Sequence, residues 1–154
     1  MRTDLVLVTH EHLDHNGVEA IEGEPAIVRS TAGRGPNTIF VFSLDAVRVA
    51  HFGDFGQTGL REGQAQAIGQ VDLLILPVGG GPTIGAGQAA EIVQRLSPRW
   101  LLPMHYRTPR IGFLETADAF LEQMPRVERL EDRGFDTGEL AEAGETTVVV
   151  PAAP

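Results

Sequence analysis

Apolar residues fall in short blocks along this chain, and the spacing inside the blocks switches between two periods. Leu5–Thr9 begins with an unbroken apolar run of strand length, and Leu73–Leu76 is another, closed by Pro77. Continuous runs of this kind fit strands buried on both faces. Elsewhere the period lengthens. Ala89, Ile92, Val93 and Leu96 fall at i, i+3, i+4 and i+7, one stripe of a helix. Ala117, Phe120, Leu121 and Met124 repeat that stripe. Arg61–Ile68 also suits a helix, and Asn16–Ile21 a short helical turn. Ala26–Arg29, Trp100–Met104, Val127–Leu130 and Thr146–Val150 read as further strands. Thr38–Phe42 and Val47–Phe52 flank Ser43-Leu44-Asp45-Ala46, which predicts a hairpin. Ser30 through Pro36 reads as loop, and so does the acidic, glycine-containing stretch from Glu131 to Glu145. Strands and helices alternate, as in an α/β layered fold. No internal repeat and no linker divides the chain, so one domain over 1–154 is expected.

The chemistry concentrates where the first apolar run ends. Thr9-His10-Glu11-His12-Leu13-Asp14-His15 places three imidazoles and two carboxylates within six residues. Imidazole nitrogen and carboxylate oxygen suit zinc, iron or manganese. If the extended geometry carries past Thr9, His10 and His12 project to the same side. Asp14 and His15 follow the turn and reach a second point nearby. One short loop could then serve two metals. The zincin pattern H-E-x-x-H is not met, because Asp14 stands four residues after His10. A solvated, histidine-rich loop is the alternative.

Thr-His-x-His-x-Asp-His after a hydrophobic strand resembles the signature of the metallo-β-lactamase fold hydrolases. Three later segments match in order: Val49-Ala50-His51-Phe52-Gly53-Asp54, Leu76-Pro77-Val78-Gly79-Gly80-Gly81 and Leu102-Pro103-Met104-His105-Tyr106. They look like the branch related to ascorbate-6-phosphate lactonase. The resemblance runs from about Asp4 to about Leu130. It implies an αββα sandwich, with helices outside two facing sheets. It also implies a ligand set. His10 and His12 would hold a first metal, and Asp14, His15 and His105 a second. Asp54 would bridge the two, so that Asp14 and Asp54 are the catalytic carboxylates. The cofactor would be one or two divalent ions, zinc first, with manganese or iron as alternatives. The reaction implied is hydrolysis of an ester, lactone or phosphoester-type small molecule through a metal-bound hydroxide. Family members usually carry a β-rich segment before the histidine motif and one more ligand histidine before the Gly-Asp turn. Here no histidine lies between His15 and His51. The expectation is a member shortened at its start and internally, with an incomplete N-terminal sheet. A homo-oligomer is one way to cover the resulting edges. A degenerate or truncated non-catalytic metal-binding domain is the alternative function.

Several residues carry two readings. Asp54 could cap its own turn instead of bridging metals. His105 could be a packed strand-end histidine. His51 reads as a core residue or a support beside the site rather than a ligand. Gly79-Gly80-Gly81 could cradle a phosphate, but a tight strand-to-helix loop is the preferred reading. Arg34 and Arg107 could meet an anionic substrate or lie plainly on the surface. Tyr106 could donate to a developing oxyanion or pack as an aromatic.

Composition narrows the partners. Twelve Lys and Arg stand against 21 Asp and Glu, a formal charge of −9, which disfavours nucleic acid. There is no cysteine, so neither disulfides nor thiolate ligands contribute. No apolar run approaches the ~20 residues of a membrane span. A cytoplasmic enzyme acting on a small molecule is the expectation.

Overall fold

The structure is a computed structural model, and it describes residues 26–32, 35–44, 46–132, 134, 136 and 144–152, with side chains from Asn37 onward. The expected strand Leu5–Thr9, the turn Asn16–Ile21 and the His10–His15 motif lie outside the described residues.

Seven strands form one mixed sheet: β1 (Ala26–Ala32), β2 (Gly35–Leu44), β3 (Val47–His51), β4 (Leu73–Pro77), β5 (Trp100–Met104), β6 (Arg126–Arg129) and β7 (Thr147–Val150). Their order across the sheet is β1-β2-β3-β4-β5-β7-β6. The first two pairings are antiparallel and the remaining four parallel. Parallel neighbours need crossovers. Helices α1 (Glu62–Ile68) and α2 (Ala86–Leu96) supply two of them, and α3 (Asp118–Leu121) lies between β5 and β6.

The hairpin between β2 and β3 is where the alternation placed it, with Leu44 opposite Val47. Strand β5 and the helical stripe of α2 also match the pattern. The segment Ser30–Pro36 is a correction. Read as loop, its described residues Ser30–Ala32 and Gly35–Pro36 are strand, in a pairing of β1 with β2 that runs in register from Ala26↔Val41 to Ala32↔Gly35. Ser, Thr, Ala and Gly resemble turn composition. Pairing with β2 supplies the backbone partners that make these residues strand, which their composition alone does not show. Helix α3 is a second correction. The stripe from Ala117 to Met124 is one α-helical turn followed by i→i+3 bonds, Gln123 N–H to Phe120 O and Met124 N–H to Leu121 O. Such bonds tighten a helix end, and Pro125 follows. Ala117, Phe120 and Leu121 are nevertheless buried, so the stripe points inward as read.

The helices share one face of the sheet. Ile68, Ala89, Ile92, Val93, Leu96, Phe120 and Leu121 pack with Ile39, Val41, Ala50, Leu74, Leu76, Leu101, Val148 and Val150 in one core. Trp100 and Val149, flanked by Val47, Leu73 and Leu130, form a smaller cluster apart from it. The main core fixes the strands so that β3, β4 and β5 end at one edge of the sheet. His51 pairs with Ile75, and Pro77 with Met104.

Candidate metal centre

Beyond His51 the chain makes one tight turn. Phe52 and Phe55 are fully buried and meet edge to face, ring centroids 5.2 Å apart. Gly53, at φ 54°, adopts the left-handed backbone that glycine permits most readily. Two buried phenylalanines therefore pin the turn from both sides and leave Asp54 at its outer bend. The Asp54 N–H donates to Asn37 Oδ1 at 2.9 Å, and Asn37 Nδ2 donates to the Phe52 carbonyl at 2.8 Å.

The second arm comes from β5. His105 follows Met104 and sits at φ 51°, left-handed for a residue that carries a side chain. Such a conformation is uncommon outside glycine and needs surroundings that impose it. Those surroundings are visible. The β4–β5 pairing continues past both strands, with Val78 N–H on Met104 O and Gly79 N–H on His105 O, each at 3.0 Å. At Gly79 a Cβ would stand 2.2 Å from His105 O and 2.6 Å from Tyr106 Cα. Only glycine lets the two backbones approach this closely. Glu115 N–H on Gly79 O and Arg107 N–H on Glu115 O tie the following loop to the same point.

The two arms meet. His105 Nε2 lies 3.1 Å from Asp54 Oδ1, and the side chains are 40% and 23% exposed. Two unlike donors thus converge at the carboxyl edge of the sheet with solvent access. Zinc binds nitrogen and carboxylate oxygen at about 2.0–2.2 Å, so two donors ~3 Å apart can share one ion. The pair fits a metal on chemistry and spacing. Among the described residues no group of three or more such donors occurs. The remaining expected ligands, His10, His12, Asp14 and His15, lie outside the described residues.

His51 stands beside the pair without joining it. Its Nδ1 accepts the Gly53 N–H at 3.1 Å. Burial pushes its pKa down to about 4, with His105 adding to the fall and the Asp54 carboxylate opposing it. It is therefore neutral at pH 7, and one ring nitrogen is engaged in holding the turn.

The other sequence candidates separate. Tyr106 packs against the main core. Arg107 Nε donates to Leu114 O at 2.7 Å, so this side chain braces its own loop. Arg34 lies outside the described residues. The Gly79–Gly81 loop spends its first two N–H groups internally, on His105 O and Ile84 O, as a tight connection does and a phosphate cradle does not. Two residues escape a reading of the sequence. Asn37 looks like the polar start of a strand, and Gly79 like one member of a glycine run. Only the tertiary pairings reveal what each one meets.

The profile of the beta-lactamase superfamily domain matches residues 29–105, half of the 154, and ends on His105. A UPF0173 metal-dependent hydrolase of Thermococcus kodakarensis is 30% identical over 158 residues, covering 70% of this chain and 69% of that protein. A UPF0173 metal-dependent hydrolase of Thermococcus onnurineus is 29% identical over 154 residues, with 70% and 69% covered. A solved metallo-beta-lactamase superfamily structure from Thermotoga maritima superposes with a TM-score of 0.67 at 34% identity. That match covers 75% of this chain and 59% of the Thermotoga chain, under two thirds of its length. The chain belongs to the beta-lactamase superfamily and carries the metallo-β-lactamase fold.

Proposed function

We propose that the chain is a metal-dependent hydrolase of small ester, lactone or phosphoester-type substrates. The observation that carries this reading is the convergence of Asp54 Oδ1 and His105 Nε2 to 3.1 Å where β3 and β5 end. In open α/β sheets ligands gather outside the carboxyl ends of strands. In the proposed site His10 and His12 would hold one ion and Asp14, His15 and His105 the other, with the Asp54 carboxylate available to both. Zinc is the favoured ion, ahead of manganese or iron, supported by the nitrogen-and-oxygen donor set and by the Thermotoga relative's description as Zn-dependent. A bound divalent metal supplies Lewis acidity and a nucleophilic water near neutral pH. The chain's own residues do the rest. Asp54 offers two carboxylate oxygens from a turn pinned by Phe52 and Phe55. His105 offers Nε2 from a left-handed backbone held by the Gly79 N–H. His51, neutral and tied to Gly53, adds no charge that would repel a cation.

The formal charge of −9 supports a small-molecule substrate over nucleic acid. Among the described residues no helix is long and apolar enough to cross a membrane. We place the protein in the cytoplasm, and a homo-oligomer would cover open sheet edges. Metal analysis after reconstitution, followed by turnover on generic ester, lactone and phosphodiester substrates, tests the reading. Bound metal with turnover is the expected result. Bound metal without turnover would favour a non-catalytic metal-binding domain, the outcome suggested by the missing histidine between His15 and His51. No metal in a folded sample would remove both.

A further inference from the structure

Asn37 is 2% exposed, and asparagine seldom sits so deep without a reason. It lies on β2, 17 positions before Asp54 in the sequence. Both ends of its amide are engaged on the turn that presents Asp54. The orientation of the amide is dictated by the backbone. The Asp54 N–H can only donate, so it must face Oδ1, and the Phe52 carbonyl can only accept, so it must face Nδ2. One side chain thus spans the turn from residue 52 to residue 54 and fixes the direction in which Asp54 leaves it. An aliphatic residue here would leave the Phe52 carbonyl and the Asp54 N–H to find other partners, and each one that stays buried and unpaired would loosen the turn.

We infer that Asn37 is a positioning residue that sets the Asp54 carboxylate against His105 and, resting on the metal reading above, tunes the affinity of that pair for a divalent cation. It touches neither metal nor substrate. It acts through the backbone of Asp54. Partners that orient a ligand typically change metal affinity ~10–100-fold when removed.

The test compares Asn37→Ala with Asn37→Asp and with Val148→Ala, a fully buried core residue of β7 with no bond to the turn. Asn37→Asp keeps an oxygen to accept the Asp54 N–H and gives up the donor to Phe52. Zinc affinity is measured by chelator competition on the full chain. Amide exchange at Asp54 and the ¹⁵N shifts of the His105 ring are read on metal-free protein. Asn37→Ala should bind zinc ~10–100-fold more weakly. It should also raise Asp54 exchange beyond its global loss of stability and move the His105 ring shifts. Asn37→Asp should fall between it and the parent, and Val148→Ala should leave affinity and shifts at parental values. If Asn37→Ala loses no more affinity than Val148→Ala, the positioning role is overturned. Should the parent bind no zinc, the metal reading falls, and the exchange and ring shifts still decide the geometry: parental values in Asn37→Ala sink it. Where Asn37→Ala does not fold, Asn37→Asp against Val148→Ala decides the same question by the same readouts.

Discussion

At the amino ends of β3, β4 and β5, charged residues close on one another across ordinary backbone; at the carboxyl ends, Asp54 and His105 meet at 3.1 Å beside left-handed backbone. Before β4, Asp72 Oδ2 accepts the Arg48 N–H at 2.9 Å, and its own N–H donates to Arg48 O at 2.8 Å. The Asp72 carbonyl accepts the Trp100 N–H at 2.8 Å. Arg48 reaches Ile68 O, while Arg99 pairs with Asp72 and lies 4.5 Å over the Trp100 ring. This end joins three strands with ordinary backbone. The opposite end spends conformational energy instead. It uses a left-handed His105, a left-handed Gly53 and a glycine contact that no side chain could occupy, and it leaves Asp54 and His105 open to solvent. Strain kept beside an accessible donor pair is what a binding site looks like. A stitched network of satisfied charges is what a structural joint looks like.

The largest effect should come from closing the space at Gly79. In Gly79→Ala the new methyl would overlap backbone atoms of His105 and Tyr106, which cannot rotate aside as a side chain would. Overpacking costs about 1–3 kcal/mol, and losing the Gly79–His105 hydrogen bond adds about 1 kcal/mol. Urea unfolding should show a loss of roughly 2–4 kcal/mol. A loss under about 1 kcal/mol would mean the two backbones are not as close as described. That result would erase the strained half of the comparison.

Next in size is the contrast between the two histidines. His105→Ala removes a proposed direct ligand and should weaken zinc binding more than ~100-fold. His51→Ala removes a residue that holds the Gly53 turn and should cost at most ~10–100-fold. Chelator competition on folded variants measures both. If His51→Ala proves the more damaging, His51 is the ligand and the assignment of roles at this edge must be reversed.

A third effect is set by pH in metal-free protein. His51 titrates at about 4 in the fold against an ordinary value of 6.5. Between those values the unfolded chain takes up a proton that the folded chain refuses. This contribution to stability is therefore complete above pH 6.5, declines as pH falls, and is lost below about 4. His51→Asn, whose Oδ1 can still accept the Gly53 N–H, should flatten that part of the profile. Parallel pH–stability curves for parent and variant would show that His51 is not buried neutral.

These comparisons also explain what the sequence disclosed. Asp54 and His105 were legible because each follows an apolar strand and sits in a short motif. Local context is enough to place a residue at a strand's carboxyl end. Asn37 and Gly79 were not legible as parts of the site. The meaning of Asn37 depends on a turn 17 positions away, and that of Gly79 on the backbone of a different strand. Strand pairing, here with the nearby Gly35–Asn37, also turned Ser30–Ala32 from expected loop into strand. The parallel placement of β7 between β5 and β6 belongs to the same category, because hydrophobic runs announce strands without naming their neighbours.

The smallest effect tests the stitched end. Arg99 lies 3.7 Å from Asp72 with its side chain 46% exposed, and it covers the Trp100 ring. Exposed ion pairs contribute about 0.2–1 kcal/mol, and exposed cation–π contacts about 0.5–1 kcal/mol. Added salt screens the ion pair. Arg99→Ala should therefore cost roughly 1 kcal/mol in urea unfolding, less at high salt. Zinc affinity should not move, because the strands between the two ends are fixed by core packing rather than by this pair. A change in zinc affinity of tenfold or more would show that the two ends communicate. Arg99 would then belong to the functional machinery, and the division between joint and site would have to be given up.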